Sequence, residues 1–66
     1  MSTAVYESVG IWGKRLIKDG FEDYTEAELW VKSSYDTVMI EADADYPGFG
    51  DALTTSGMIL VIETET

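Results

Sequence analysis

The 66-residue chain contains no cysteine, no histidine, one proline and only four cationic side chains. Each scarcity excludes something. Without thiol or imidazole there is no disulfide framework, no Cys/His zinc site, no Cys or Ser/His nucleophile system and no neutral-pH histidine switch. Four Lys/Arg are too few to build a basic face for nucleic acid or an anionic membrane. The longest apolar run, Met58-Ile59-Leu60-Val61-Ile62, is far short of the roughly 20 residues a membrane-spanning helix needs. The first residues, Met1-Ser2-Thr3-Ala4-Val5-Tyr6-Glu7, carry neither the basic nor the apolar region of a secretory signal, so a soluble cytoplasmic protein is expected. A chain of this length makes one domain, residues 1–66, with little room for an enclosed catalytic pocket; no enzyme and no cofactor are expected.

What is present in excess is negative charge. Thirteen Asp/Glu against four Lys/Arg give a formal net charge of −9. That balance would suit a disordered acidic tail, which cannot bury enough apolar surface to offset its chain entropy. The remainder of the composition argues otherwise. Apolar residues are 45% of the chain, with two Trp, four Tyr and two Phe. They cluster in Leu29-Trp30-Val31, Val38-Met39-Ile40 and the run from Met58, which reads as core material for a small folded domain.

Along the chain, Val5, Val9, Trp12 and Leu16 fall on one helical stripe with Glu7, Lys14, Arg15 and Lys18 away from it. A helix over 3–19 is expected, with Ser2 as N-cap and Gly20 after its end; a strand at 4–12 is the alternative, because Gly10 and Gly13 weaken a helix. Residues 25–34 satisfy two rules. Thr25-Glu26-Ala27-Glu28 reads as a capping box opening a short helix, while the alternation of Ala27, Leu29 and Val31 with polar neighbours reads as a strand; the helix is preferred. Residues 37–42 alternate as a strand, Tyr46-Pro47-Gly48-Phe49-Gly50 breaks the chain, 51–56 is expected to form one helical turn, and 58–63 a central strand apolar on both faces, with Thr64-Glu65-Thr66 trailing into solvent. The expected fold class is α+β, a two-layer single domain of two or three strands packed with one or two helices.

The charge is unevenly placed. Residues 1–32 hold six acids and four bases; residues 33–66 hold seven acids and no base. Two acidic groupings follow, one around Asp19, Glu22, Asp23, Glu26 and Glu28, the other around Asp36, Glu41, Asp43, Asp45 and Asp51. If the strand beginning at 37 continues to 45, Glu41, Asp43 and Asp45 project from one face about 6.6–6.8 Å apart, a coarse copy of a phosphodiester strand. Lys and Arg that ordinarily meet phosphates would meet these carboxylates instead. Surface acids also serve solubility and protect edge strands, and each carboxylate taken singly is accounted for that way. A half-chain of one sign exceeds that need and repels itself, which points to a use.

Other constellations fall short of a site. Taking Asp43 as the first position of a calcium loop places Asp45 and Gly48 correctly, but Pro47 stands at the fifth position and Thr54 at the twelfth, where a bidentate Glu is required. Gly48-Phe49-Gly50 lacks the spacing and the Lys of a phosphate loop. Trp12, Trp30, Tyr6, Tyr24 and Tyr35 are expected in or beside the core, since base-stacking platforms come with a positive groove that this chain lacks. Tyr46 and Phe49, beside the acidic row, are the aromatics placed to anchor an Arg-rich partner.

In its shortness, acidity, aromatic content and want of cysteine and catalytic motifs, the chain resembles small phage-encoded anti-CRISPR proteins of the DNA-mimic type. The resemblance spans the whole chain in character and rests on no motif. It implies a monomeric inhibitor that occupies the DNA-binding channel of a CRISPR effector complex, or another basic nucleic-acid-binding host protein, without itself touching nucleic acid or membrane. Glu22, Asp23, Glu26, Glu28, Asp36, Glu41, Asp43, Asp45 and Asp51 would be its phosphate surrogates, with Tyr46 and Phe49 beside them. The four cations at 14–32 depart from a uniformly acidic mimic and imply that the face of the first helix points away from the partner. The competing expectation is an interaction or assembly domain that uses an apolar patch around Trp30, Met39 and Phe49.

Overall fold

The computed structural model describes residues 2–65. Five strands, β1 (Ser2–Ser8), β2 (Lys14–Phe21), β3 (Thr37–Ala42), β4 (Phe49–Thr54) and β5 (Ile59–Glu65), form one antiparallel sheet in the order β2-β1-β5-β4-β3. One helix, α1 (Tyr24–Ser34), follows β2 and lies across one face of the sheet. The α+β class holds, with five strands in place of two or three.

The excess strands come from two segments that periodicity misassigns. Residues 3–19 form no helix: β1 and β2 pair as a hairpin, joined through a 3-10 turn at Gly10–Trp12. Gly10 (φ 69°) and Gly13 (φ 94°) reverse the chain there, a conformation that other residues adopt only with strain. Val9 N–H donates to the Gly13 carbonyl at 2.9 Å and Gly13 N–H to that of Gly10 at 3.1 Å. The turn leaves Ser2 and Gly20 inside strand ends and not at helix caps. Val5 is buried as expected, but Trp12 and Leu16 are exposed. Residues 51–56 are mostly β4, not a helical turn: Ala52 and Thr54 are buried, and Ala52 pairs with Ile40 of β3 and with Leu60 of β5.

The remaining expectations fare better. Helix α1 covers the expected 25–34 and closes with the Tyr35 N–H on the Val31 carbonyl, but its N-cap is Asp23 and not Thr25. Strand β3 matches 37–42. Strand β5 is central, between β1 and β4, and extends to Glu65, so Thr64 and Glu65 are paired with β1 and do not trail away. Thr66 lies outside the described residues.

The core is the layer between sheet and helix. Val5, Ala52, Leu60 and Ile62 from the sheet meet Ala27 and Val31 from α1, with Phe21 closing one side. Thr3 and Thr64, paired across β1 and β5, share a hydroxyl hydrogen bond of 2.7 Å at the margin of this layer. Trp30 packs its ring against Phe21 and Tyr35, with centroids 5.7 and 6.0 Å away. Tyr24 reaches over β4, and this requires a glycine at 50: a methyl group there would collide with the Tyr24 hydroxyl and stand 2.8 Å from the Glu41 carbonyl.

Candidate partner-binding surface

Strand directions decide where the charges go. Strand β2 ends, β3 ends, β4 begins and α1 begins at one end of the sheet, while the β1–β2 turn, the β4–β5 turn and the end of α1 lie at the other. The first end collects Glu22 and Asp23 in the β2–α1 turn, Glu26 in the first turn of α1, and the β3–β4 loop with Asp43 and Asp45. The two acidic groupings that are separate in sequence therefore share one end of the fold. Glu41 and Asp51, cross-strand partners on β3 and β4, stand just above that loop. Asp36 is the exception, at the opposite end beside the β4–β5 turn, where its carbonyl accepts from Thr55 N–H at 2.8 Å.

The cations do little to neutralise this end. Lys14 lies over the Tyr6 ring at 4.6 Å and pairs with Glu63 at 2.5 Å. Arg15 pairs with Glu7 on the neighbouring strand, and Lys32 with Glu28 one helical turn back at 3.2 Å. Lys18 sits over the Phe21 and Trp30 rings. Of the thirteen carboxylates three are thus paired, and ten have no cation partner among the described residues. Glu28, expected as a binding residue, is one of the three paired. The hydrogen bond to Glu63 and its negative field raise the Lys14 pKa.

The regular carboxylate row does not form. Strand β3 stops at Ala42, and the chain then turns: Asp43 accepts from Asp45 N–H at 2.9 Å through its side chain, and Gly48 adopts φ 89° before β4 begins. The loop is closed by Asp43 N–H on the Phe49 carbonyl at 2.8 Å and Phe49 N–H on the Tyr46 carbonyl at 3.1 Å. In place of a row there is an open cleft of about 370 Å³ lined by Glu41, Asp43 and Asp51 together with Phe49 and Val61. No group of three carboxylates among the described residues is arranged to hold a metal ion. Tyr46 is exposed in the loop and Phe49 half-buried at its base, both beside the acids as expected.

The alternative apolar patch is dispersed. Trp30 packs in the helical layer, whereas Met39 and Phe49 lie on the opposite face of the sheet, the face α1 does not cover. Sequence reasoning missed the most exposed apolar pair of all, Ile11 and Trp12, 94% and 84% accessible at the tip of the β1–β2 hairpin. The signal was present in Gly10 and Gly13, which flank the pair at turn spacing.

Comparison with protein-family models, with curated proteins and with solved structures finds no match to this chain.

Proposed function

We propose that this chain is an acidic inhibitor of the DNA-mimic type, which binds the basic surface of a nucleic-acid-binding protein and keeps DNA from it. The observation that carries the reading is the gathering, at one end of a five-stranded sheet, of carboxylates that have no cation partners. A solubilising surface needs no such segregation, since interspersed signs serve that purpose better. The surrogates are Glu22, Asp23, Glu26, Glu41, Asp43, Asp45 and Asp51, with Asp36 and the paired Glu28 peripheral. Tyr46 and Phe49 supply aromatic surface for stacking against Arg. The anti-CRISPR resemblance makes a CRISPR effector complex the first partner to assay, and the site of action is the cytoplasm of the host cell.

The test uses a purified CRISPR effector complex and a second basic DNA-binding protein, each titrated with the chain in the presence of duplex DNA. Chain and DNA should compete, and affinity for the chain should fall steeply between roughly 50 and 200 mM salt as counterion effects weaken. The variant E41Q/D43N/D45N keeps the Asp43-type turn acceptor and should bind about tenfold more weakly or worse. Undiminished binding by this variant, or binding indifferent to DNA, sinks the reading.

A further inference from the structure

An open sheet has two edges, and here they are β2 and β3, each with a neighbour on one side only. An edge strand carries outward N–H and C=O groups that another chain can pair with, and proteins blunt such edges with Lys, Pro, bulges or charge. Strand β2 is blunted. It carries Lys14, Arg15 and Lys18, and its register with β1 shifts twice. Strand β3, with the sequence Thr37-Val38-Met39-Ile40-Glu41-Ala42, has no cation and no proline, and its register shift lies at its start, between Thr37 and Met39. Val38 and Met39 on it are 66% and 52% accessible.

The ladder shows which groups are free. Asp43 N–H donates to the Phe49 carbonyl, so these two residues bond across the strands. Bonded and non-bonded pairs alternate in an antiparallel ladder, which turns the Glu41 backbone inward to Asp51 and leaves the N–H and C=O of Ile40 and Ala42 pointing out of the sheet. The Glu41 side chain lies on the face away from α1, beside Asp51. The two carboxylates are shared by the acidic cleft and by a second one of about 230 Å³ lined by Met39, Leu53 and Ile59. Ile40, on the other face, packs against the core.

We propose that β3 takes up an extended segment of a basic partner as an added strand, with Lys or Arg beside Glu41 and apolar residues beside Ile40 and Ala42. Ile40 and Ala42 each offer a backbone donor and acceptor for pairing, and side-chain alternation along the added strand supplies selectivity. A cation next to Glu41 relieves its repulsion with Asp51, its cross-strand neighbour, since neither carboxylate has a cation partner among the described residues. Charge also disfavours a second copy at this edge. Its own β3 would bring Glu41, flanked by Asp36 and Asp43, against the same acids. The inference rests on the inhibitor reading for the kind of partner, and adds a backbone contact that charge mimicry does not require.

The probe is a synthetic peptide of about eight residues alternating Arg and Val, blocked at both termini and added to the full chain at about 150 mM NaCl. Amide hydrogen exchange read by NMR should slow about tenfold or more at Ile40 and Ala42 as the peptide is added. The same peptide N-methylated at its valines keeps every charge, loses the donors that face β3, and should produce no slowing. Glu41→Lys, its fold verified by circular dichroism, should bind the Arg/Val peptide about tenfold more weakly and accept a Glu/Val peptide in its place. No binding, binding that leaves exchange at Ile40 and Ala42 unchanged, equal slowing by the N-methylated peptide, or an E41K chain that still prefers Arg overturns strand addition. Slowing that appears with chain concentration alone assigns the edge to a second copy and overturns it as well. The inhibitor reading is judged apart from this, by competition with DNA. A chain that shows the expected slowing but fails to displace DNA from a basic protein supports strand addition and rejects inhibition, while displacement without slowing does the reverse.

Discussion

At the residue scale, Tyr24 joins the helix to the acidic end. Its ring lies over Gly50, and its hydroxyl is buried with no hydrogen-bond partner among the described residues. Burial first, then the carboxylates of Glu28 and Asp51, raise its pKa above the ordinary tyrosine value. A raised folded pKa contributes stability that is fully present below the unfolded pKa of about 10 and is lost as pH rises through the folded value. Lys14, raised by Glu63, acts in the same direction. Tyr24→Phe removes no hydrogen bond and should leave stability at pH 7 unchanged or slightly higher. Urea unfolding at pH 7 and 11 should show a smaller alkaline loss in the variant than in the parent, with the remainder owed partly to Lys14. An equal alkaline loss in both would remove Tyr24 from this account.

At the scale of elements, the start of α1 separates two readings of the same acidic turn. Both Asp23 and Thr25 are N-cap residue types followed by Glu three positions later. The chain uses Asp23, whose side chain accepts from Glu26 N–H at 2.9 Å, while the Glu26 carboxylate turns back to Glu22 N–H at 3.4 Å. Asp23→Ala should therefore destabilise by about 1 kcal/mol and Thr25→Ala by only a few tenths, measured by chemical denaturation. The reverse order would return the cap to Thr25. Helix α1 and strands β3 and β5 were legible because their periodicities are carried by residues whose neighbours in space agree with them. The β1–β2 hairpin was not, because Val5, Val9, Trp12 and Leu16 happen to recur at helical spacing. Only Gly10 and Gly13, each with positive φ, override that pattern, and a glycine's backbone angle is not written in its position.

For the whole molecule, self-repulsion is the dominant long-range force. Ten carboxylates without cation partners should make the folded state gain from screening. If raising NaCl from about 10 to about 500 mM relieves about 1 kcal/mol, the melting temperature of a domain this size rises by roughly 4–8 °C. Calorimetry reads this shift directly. A flat response would mean that the acidic end is too spread out to strain the fold. The same crowding would then offer little to a basic partner, so this measurement bears on the proposed inhibitor as well.

The sequence by itself determined the charge, the absence of thiol and imidazole chemistry, the presence of a core and the α+β class, because these follow from composition and short-range pattern. It also marked the acidic residues individually. Their arrangement was decided only by tertiary structure. The chain turns at Asp43, whose side chain accepts from Asp45 N–H, and this abolishes the regular row, while the antiparallel order of five strands carries Glu22 and Asp23 to the same end as Asp43 and Asp45. The division that matters is thus between two ends of a sheet and not between two halves of a chain. Side-chain alternation likewise fixes two faces for every strand, but which face receives the single helix, and which is left open with Leu53 and Val61, depends on where α1 crosses after β2. That crossing is settled by non-local contacts of Ala27 and Val31 with β1 and β5, a choice no local pattern encodes.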